Sequence, residues 1–280
     1  MSNSSFDACL YQILYDKNLK YNNESGLVNF DISSISSQDY REIIAFEKFA
    51  RVRQWEKHEF SGLLSPKFSK KTGISISKAY EFINSSNEYD VFLFHPYKRE
   101  LALRNDFLDL SELEHPNITQ NLSKIWKQIL GEQLPNVSTK RDGHLFCHCN
   151  YFVASKRFWE HYGQFIGDLW SMVKTGTADF VKQHTPYEMS GNRHKTLPQL
   201  CFIFERTLTL FLKQYENKYR SINYFDYDKS HKFPEVFPGE EKTILNFTKL
   251  LSTFPDNKKD VIRNELILAF YKLRVSMVCD

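Results

Sequence analysis

The pattern of hydrophobic and polar positions along the chain predicts strands that are separated by helices. Gly26–Ile32 alternates as a strand does, and Val91–Phe94 is a continuous apolar run between turn residues, which is typical of a strand buried on both faces. Apolar residues at helical spacing follow Ser37, Ser155 and Pro198, which suit the first turns of helices. Strands that alternate with helices indicate an α/β fold.

The same pattern continues to the end of the chain without an internal repeat or an obvious linker. We therefore expect residues 1–280 to form a single α/β domain. Helices are predicted near Glu240–Ser252 and Lys258–Val278, which makes 239–280 a helical C-terminal segment. Thr175–Lys195 is polar and contains glycines and a proline, and it predicts a long loop of the kind that covers an active site.

The amino-acid composition argues against several classes of protein. Hydrophobic residues make up 41% and charged residues 25%, which excludes a mainly disordered protein. The net charge of +3 is spread along the chain, and the absence of a basic stripe argues against a nucleic-acid partner. The 24 Phe, 15 Tyr and 4 Trp supply a large core and ring faces for flat ligands such as sugars.

Cysteine usage and hydropathy predict a soluble cytoplasmic protein. The five cysteines are irregularly spaced and do not suggest a disulfide framework. Met1–Tyr15 lacks the pattern of a signal peptide. The longest apolar run, Leu266–Tyr271, is too short to span a membrane.

His144–Cys149 contains two histidines and two cysteines, which is a set of residues that can bind zinc. We predict that His144–Ala154 is a strand, on which His148 and Asn150 point to one face and the cysteines to the other. Four ligands on opposite faces do not converge on one ion. We expect instead that the polar face of His148 and Asn150 lines a cleft.

The end of the predicted strand Val91–Phe94 is the second candidate position for binding. In open α/β sheets, ligands collect beyond the carboxyl ends of the strands. His95 follows this strand directly and is predicted to bind substrate, although a histidine satisfied by a loop carbonyl is an equal alternative. Asp90 lies at the opposite end of the apolar run and is retained as a candidate binding residue.

A third candidate is the lysine-rich stretch that ends at Gly73. Lys67 and Lys71 lie with Lys70 ahead of a predicted helix, and this arrangement suits a phosphate. There is no Walker pattern in this stretch, and a solvated loop is the alternative. We take Lys67 and Lys71 as the predicted contacts with a phosphate.

Glu205 and Arg206 lie in the middle of a predicted helix that is apolar nearly all round. A buried charge is costly unless it is paired, so a structural ion pair and a functional site are both open. Neighbouring helical positions lie about 100° apart, and we therefore expect Arg206 not to neutralise Glu205. We predict that Glu205 is a catalytic carboxylate and that Arg206 binds an anion.

Four segments of the chain resemble a bacterial polysaccharide glycosyltransferase family from capsule and O-antigen clusters. The resemblance covers roughly residues 39–220, and the segments that carry it are Phe60–Gly73, Tyr89–Pro96, His148–Trp159 and Phe202–Thr207. It implies a GT-A-like α/β fold with a mixed sheet flanked by helices. It also implies sugar transfer from a nucleotide-sugar donor to a glycan or a lipid-linked glycan, at the inner face of the cytoplasmic membrane with peripheral membrane association.

The chain departs from that family in its metal motif. Such enzymes commonly keep an Asp-x-Asp at the end of the central strand, and Val91–Phe94 has none. We therefore assign no metal ligand and expect either metal-independent transfer or a weakly held Mn²⁺ or Mg²⁺ at Asp226 and Asp228, with no organic cofactor. The alternative function is a non-catalytic module that binds carbohydrate or protein.

Overall fold

The computed structural model describes residues 7–16, 24–35, 40–97, 101, 103, 105–178, 182, 184–189, 193–235 and 238–278. Its strands and helices alternate along most of this part of the chain. The strands are β1 (Ala8–Leu14), β2 (Leu27–Asp31), β3 (Phe60–Leu64), β4 (Val91–Leu93), β5 (Phe152–Ser155), β6 (His184–Met189), β7 (Arg193–Pro198) and β8 (Ser221–Asn223).

Helices occupy most of the connections between these strands. Short 3₁₀ turns at Gln54–Lys57, Gly143–Leu145 and His148–Asn150 add to them. The α-helices are α1 (Arg41–Arg51), α2 (Phe68–Thr72), α3 (Ile76–Ile83), α4 (Asp109–Glu114), α5 (Ile118–Leu130), α6 (Thr139–Asp142), α7 (Lys156–Thr175), α8 (Gln199–Gln214), α9 (Tyr224–Tyr227), α10 (Glu240–Ser252) and α11 (Asp256–Val278).

The main sheet has six strands in the order β2-β1-β3-β5-β4-β8. β5 runs antiparallel to both of its neighbours, whereas β1 pairs in parallel with β2 and β3, and β4 with β8. This arrangement confirms the expected α/β class, a mixed sheet flanked by helices. β1 and β3 are strands that the hydrophobic pattern did not predict.

Both faces of the sheet are covered, which explains the continuous apolar run of β4. Val91 and Leu93 belong to the larger core, which includes side chains of α1, α5, α7 and α8. Phe92 and Phe94 belong to a second core on the other face, with side chains of α2 and α3. Successive side chains of a strand point to opposite faces, so every position of β4 is buried.

α7 is fixed to the sheet at its first turns. The Ser155 hydroxyl accepts a hydrogen bond from the Phe158 amide at 3.4 Å, which is the helix cap that the sequence predicts. The indole of Trp159 donates to the Ser61 carbonyl oxygen on β3 at 2.7 Å. The helix therefore begins directly above the two central strands.

The C-terminal helices α10 and α11 lie close to the predicted positions. They share a small apolar core whose buried members are Leu103, Ile244, Ile267 and Phe270. Arg263 on α11 donates to the Asn105 side chain, next to α4, and so joins the helical segment to the rest of the domain. None of the helices in the described residues is long and apolar enough to cross a membrane.

The polar stretch Thr175–Lys195 differs from the expected loop. α7 continues to Thr175, and β6 and β7 then pair as antiparallel strands in which His184 lies opposite Pro198. The prediction of an irregular loop is therefore wrong for this part of the stretch. A half-buried strand is predicted from apolar residues at every second position. Thr175–Lys195 has few apolar residues, so its sequence does not show this alternation.

Gly62 on β3 generates a prediction about the sheet. A Cβ at this position would lie 2.6 Å from the Val153 Cγ2 atom and 2.8 Å from the Phe152 carbonyl oxygen, both on β5. Gly62→Ala should lower the free energy of unfolding by about 1–3 kcal/mol, measured by urea denaturation. Gly167→Ala on α7, where a Cβ would meet nothing within 4 Å, is the control and should raise it by about 0.5–1 kcal/mol. Equal effects would contradict the close packing of β3 on β5.

Candidate functional site

The candidate site lies where the parallel strands of the main sheet end, and we call this line the carboxyl edge. Ser65 follows β3 there, and His95 follows β4 after one residue. Because β5 is antiparallel to its neighbours, its amino end lies at the same edge. The residues before β5, Cys149 to Tyr151, therefore join those that follow β3 and β4.

The segment before β5 is a tight turn and not the predicted strand. Cys149 and Asn150 both have left-handed backbone angles, with φ of 67° and 51°, and the strand begins only at Phe152. The Cys147 amide donates to the Thr209 hydroxyl on α8 at 2.9 Å, which holds the turn against that helix. The prediction that His148 and Asn150 share one strand face is therefore wrong.

His95 and His148 lie together beneath the carboxyl edge. Both are buried, and their ring centroids are 5.3 Å apart. The His148 amide donates to the His95 Nδ1 atom at 3.4 Å, and the His95 amide donates to the Asn223 side-chain oxygen at 3.4 Å. Their role in substrate binding stays a prediction. Because both side chains are buried, they are placed to support the turn before β5.

Lys71 brings a positive charge to the carboxyl edge from α2. Its ammonium donates to the Cys149 sulfur at 3.3 Å. The pKa of Lys71 is held well above its ordinary value by the Cys149 sulfur, with further contributions from Tyr97, Tyr151 and Glu205. Burial in turn raises the pKa of the Cys149 thiol. Lys71 therefore carries its charge at neutral pH.

Lys67 lies at the start of the same helix and is exposed. Partial desolvation lowers the pKa of its ammonium, and the charges of Lys71 and Lys70 lower it further. Three lysines within one short segment repel one another, and an anion bound between them would relieve that repulsion. The structure thus brings Lys67 close to Lys71, as the sequence suggests.

Glu42 is a member of the site that the sequence analysis missed. It lies in the first turn of α1 and is only partly exposed. Burial and the negative charge of Glu205 raise its pKa to about 8, while Lys71 and the Asn150 amide act to lower it. The sequence does contain a signal for Glu42. At helical spacing it lies on the same side of α1 as Ala45, Phe46 and Phe49, which are all buried.

Asn150 is the most deeply buried polar group of the site. The residue has no exposed surface, and among the described residues neither its side-chain nitrogen nor its oxygen makes a hydrogen bond of ordinary length. The amide faces Glu42 closely enough to lower the pKa of that carboxyl. Buried amides in folded proteins are nearly always hydrogen-bonded, so this one has unused capacity to donate and accept.

Glu205 and Arg206 form an ion pair, which corrects the expectation that they would point apart. The Arg206 Nη1 atom donates to the Glu205 carboxylate at 2.7 Å, because the long arginine side chain folds back around the helix. Arg206 also donates to the Ser111 hydroxyl at 2.9 Å and to the Phe202 carbonyl at 3.1 Å. Its side chain is buried, whereas the Glu205 side chain is 27% exposed. Arg206 thus holds Glu205 in place, and Glu205 keeps contact with solvent.

Asp90 does not lie with the other candidates. It precedes β4, and its carboxylate accepts two hydrogen bonds from Arg157, both at 2.7 Å. A further bond comes from the Arg220 amide at 3.1 Å. The side chain therefore joins the amino end of β4 to α7, at the opposite edge from Lys71, and this position does not favour its predicted role in substrate binding.

The residues around the end of β4 do not fit a divalent cation. Phe94, His95 and Pro96 follow this strand, and none of them offers a carboxylate. Asp228 accepts hydrogen bonds from the Ser230 amide and hydroxyl within a surface turn. In the part of the chain that the structure describes, no group of three or more His, Cys, Asp or Glu side chains could hold a metal ion.

Comparisons with known proteins give one distant structural match. No protein family model matches the chain, and no curated protein matches it. The solved apo structure of WbbM, described as a bifunctional glycosyltransferase, aligns with a TM-score of 0.37 and 12% sequence identity. The alignment covers 78% of this chain and 44% of that one, so this chain spans less than half of the length of WbbM in that structure.

The raised pKa of Glu42 predicts how stability depends on pH. The folded protein binds the Glu42 proton more tightly than the unfolded chain, because the pKa rises from 4.5 to about 8. The free energy of unfolding should therefore fall as pH rises between these values, with a slope from this group of up to about 1.4 kcal/mol per pH unit. Glu42→Gln removes this slope and should be more stable than the wild type at pH 8.

Urea denaturation at several pH values measures this effect. Glu47→Gln is the matched control, since it removes a carboxylate from the same helix, where Glu47 pairs with Arg51, and leaves Glu42 in place. The control should keep the pH profile of the wild type. Parallel profiles for Glu42→Gln and the wild type would show that Glu42 is not desolvated in the fold.

Proposed function

We propose that this protein is a glycosyltransferase that moves a sugar from a nucleotide-sugar donor to a bacterial surface glycan. The observation that carries the proposal is the edge cluster, which we define as Glu42, Lys71, Asn150 and Glu205. Four separate segments, α1, α2, the turn before β5 and α8, bring these side chains to one position at the carboxyl edge. The edge cluster contains an ammonium group for the departing diphosphate and a carboxylate for the acceptor hydroxyl, and a glycosyl transfer needs both.

Lys71 is the proposed partner of the donor diphosphate. Transfer breaks the bond between the sugar carbon and a phosphate oxygen, and negative charge builds up on the departing diphosphate. A positioned ammonium group stabilises such charge electrostatically, and Lys71 carries its charge at neutral pH. Lys67, on the same helix, is the second proposed phosphate contact.

Glu205 is the proposed general base. The acceptor hydroxyl forms the new bond to the sugar carbon, and its proton passes to the Glu205 carboxylate. The ion pair with Arg206 fixes the orientation of this carboxylate, and the exposed part of the side chain leaves it accessible to an acceptor. In this proposal Arg206 positions Glu205 and does not itself bind substrate.

The identity of the acceptor rests on the sequence resemblance over residues 39–220. A glycan or lipid-linked glycan, and with it a peripheral association with the inner face of the cytoplasmic membrane, is part of the same proposal. The main rival is a module that binds carbohydrate without turnover. Slow release of nucleoside diphosphate from a bound donor distinguishes the two, because a binding module would release none.

Nucleotide binding tests the role of Lys71. A thermal-shift screen with UDP-, GDP- and dTDP-sugars in buffer with EDTA should identify a donor that raises the melting temperature. Lys71→Ala should weaken binding of that donor by about 10–100-fold, since a charged hydrogen bond is lost. Lys78→Ala, which removes an exposed lysine from α3, is the control and should bind as the wild type does. A screen without any binder, or equal losses in both variants, would contradict the proposal.

Glu205→Gln tests the proposed base. The variant keeps the volume of the side chain but cannot accept a proton, so release of nucleoside diphosphate from the donor should fall about 10²-fold, with donor affinity retained. Glu216→Gln, which removes an exposed carboxylate paired with Lys213 just beyond the same helix, should leave the rate unchanged. Full activity of Glu205→Gln in a folded protein would remove Glu205 from the mechanism.

A further inference from the structure

The Asn150 side chain approaches the Glu42 carboxyl but has hydrogen-bonding capacity that the described residues do not fill. Its amide nitrogen and oxygen are buried and lack partners at ordinary hydrogen-bond length. The side chain is held in place, because residue 150 belongs to a turn with left-handed backbone angles and is followed immediately by the buried Tyr151 and β5. A buried amide without partners is unfavourable, and a ligand that supplies both a donor and an acceptor would satisfy it.

Glu42 faces the same point from α1. Its carboxyl lies near the Asn150 amide and within reach of two opposite charges, those of Glu205 and Lys71. Glu42 keeps some contact with solvent, whereas Asn150 has no exposed surface, so a ligand would reach the pair from the side of Glu42. Among the described residues, neither side-chain polar atom of Asn150 has a hydrogen-bond partner at ordinary length.

The charges around this pair select the chemistry of its ligand. The negative charge of Glu205 disfavours an anion at this pair itself, whereas Lys71 favours one beside it, and an apolar group would leave the Asn150 amide unsatisfied. A hydroxyl group is neutral and can both donate and accept a hydrogen bond. Two adjacent hydroxyls match the amide and the carboxyl together, which is the pattern that a sugar ring presents.

The position of Lys71 relative to Asn150 indicates which sugar ring would bind to this pair. The Lys71 ammonium lies 3.3 Å from the sulfur of Cys149, the residue that precedes Asn150. A phosphate held by Lys71 therefore lies close to Asn150 and Glu42. The sugar that is linked directly to that phosphate is the donor sugar.

We propose that Glu42 and Asn150 together bind two adjacent hydroxyls of the donor sugar, which makes Glu42 a specificity-determining residue. This inference rests on the proposed function, because it takes the ligand to be a nucleotide sugar. It adds a residue from α1 to the donor site. It also separates the roles of the two carboxylates, since Glu42 holds the sugar and Glu205 accepts the proton.

Matched pairs of ligands test this inference by isothermal titration calorimetry. For each base, the affinity for the nucleotide sugar is compared with that for the free nucleoside diphosphate, and the difference is the gain from the sugar. The pairs are UDP with UDP-glucose, GDP with GDP-mannose and dTDP with dTDP-glucose. Glu42→Leu should reduce that gain about tenfold and leave the affinity for the free nucleoside diphosphate within about twofold of the wild type. Glu42→Gln, which keeps hydrogen-bonding capacity, should keep part of the gain, and Glu47→Gln on the same helix should keep all of it.

The possible outcomes separate this inference from the proposed function. If no nucleotide in the panel binds to the wild type, the proposed function fails and the inference fails with it. If nucleotides bind but Glu42→Leu and Glu42→Gln keep the full gain from the sugar, only the inference is overturned. Equal loss for free nucleotide and nucleotide sugar would overturn it too, because Glu42 would then act on the nucleotide. Circular dichroism of each variant establishes folding, and Glu42→Gln serves as the test if Glu42→Leu does not fold.

Discussion

The insertion of the antiparallel strand β5 between β3 and β4 is the constraint on which the rest of the structure depends. Because β5 runs against its neighbours, the turn that precedes it lies at the carboxyl edge. The approach of β3 to β5 is close enough to require Gly62. Helices cover both faces of the sheet and leave no side chain of β4 exposed, so the polar groups of the site come from the segments beyond the strand ends.

Electrostatics at the carboxyl edge follows from this geometry. Two carboxylates, Glu42 and Glu205, come near each other beside the ammonium of Lys71. One negative charge is balanced by Arg206, and the other is disfavoured, so Glu42 holds its proton up to a pKa of about 8. Such an acid reduces stability at neutral pH, and this cost is typical of sites arranged for binding or catalysis.

The sequence was sufficient to predict elements with a strong hydrophobic pattern and some of the site residues next to them. The burial of β4 and the Ser155 cap were predicted, and Lys71 and Glu205 were among the candidates that the structure brings together. β1 and β3 were missed, although both are longer than the predicted β4. The turn at Asn150 was missed because left-handed angles at two successive residues other than glycine leave no sequence pattern. Glu42 lies far from the other candidates in sequence, and only the fold brings it to them.

The most direct test is a titration of the Glu42 carboxyl carbon by ¹³C NMR in the wild type and in Lys71→Ala. If the edge cluster is one electrostatic unit, Glu42 titrates with a pKa of about 8 in the wild type. Removal of the Lys71 charge should raise this pKa further, because a neighbouring cation favours the ionised form. A wild-type pKa near 4.5 that is unaffected by Lys71→Ala would show that these residues do not form a common site.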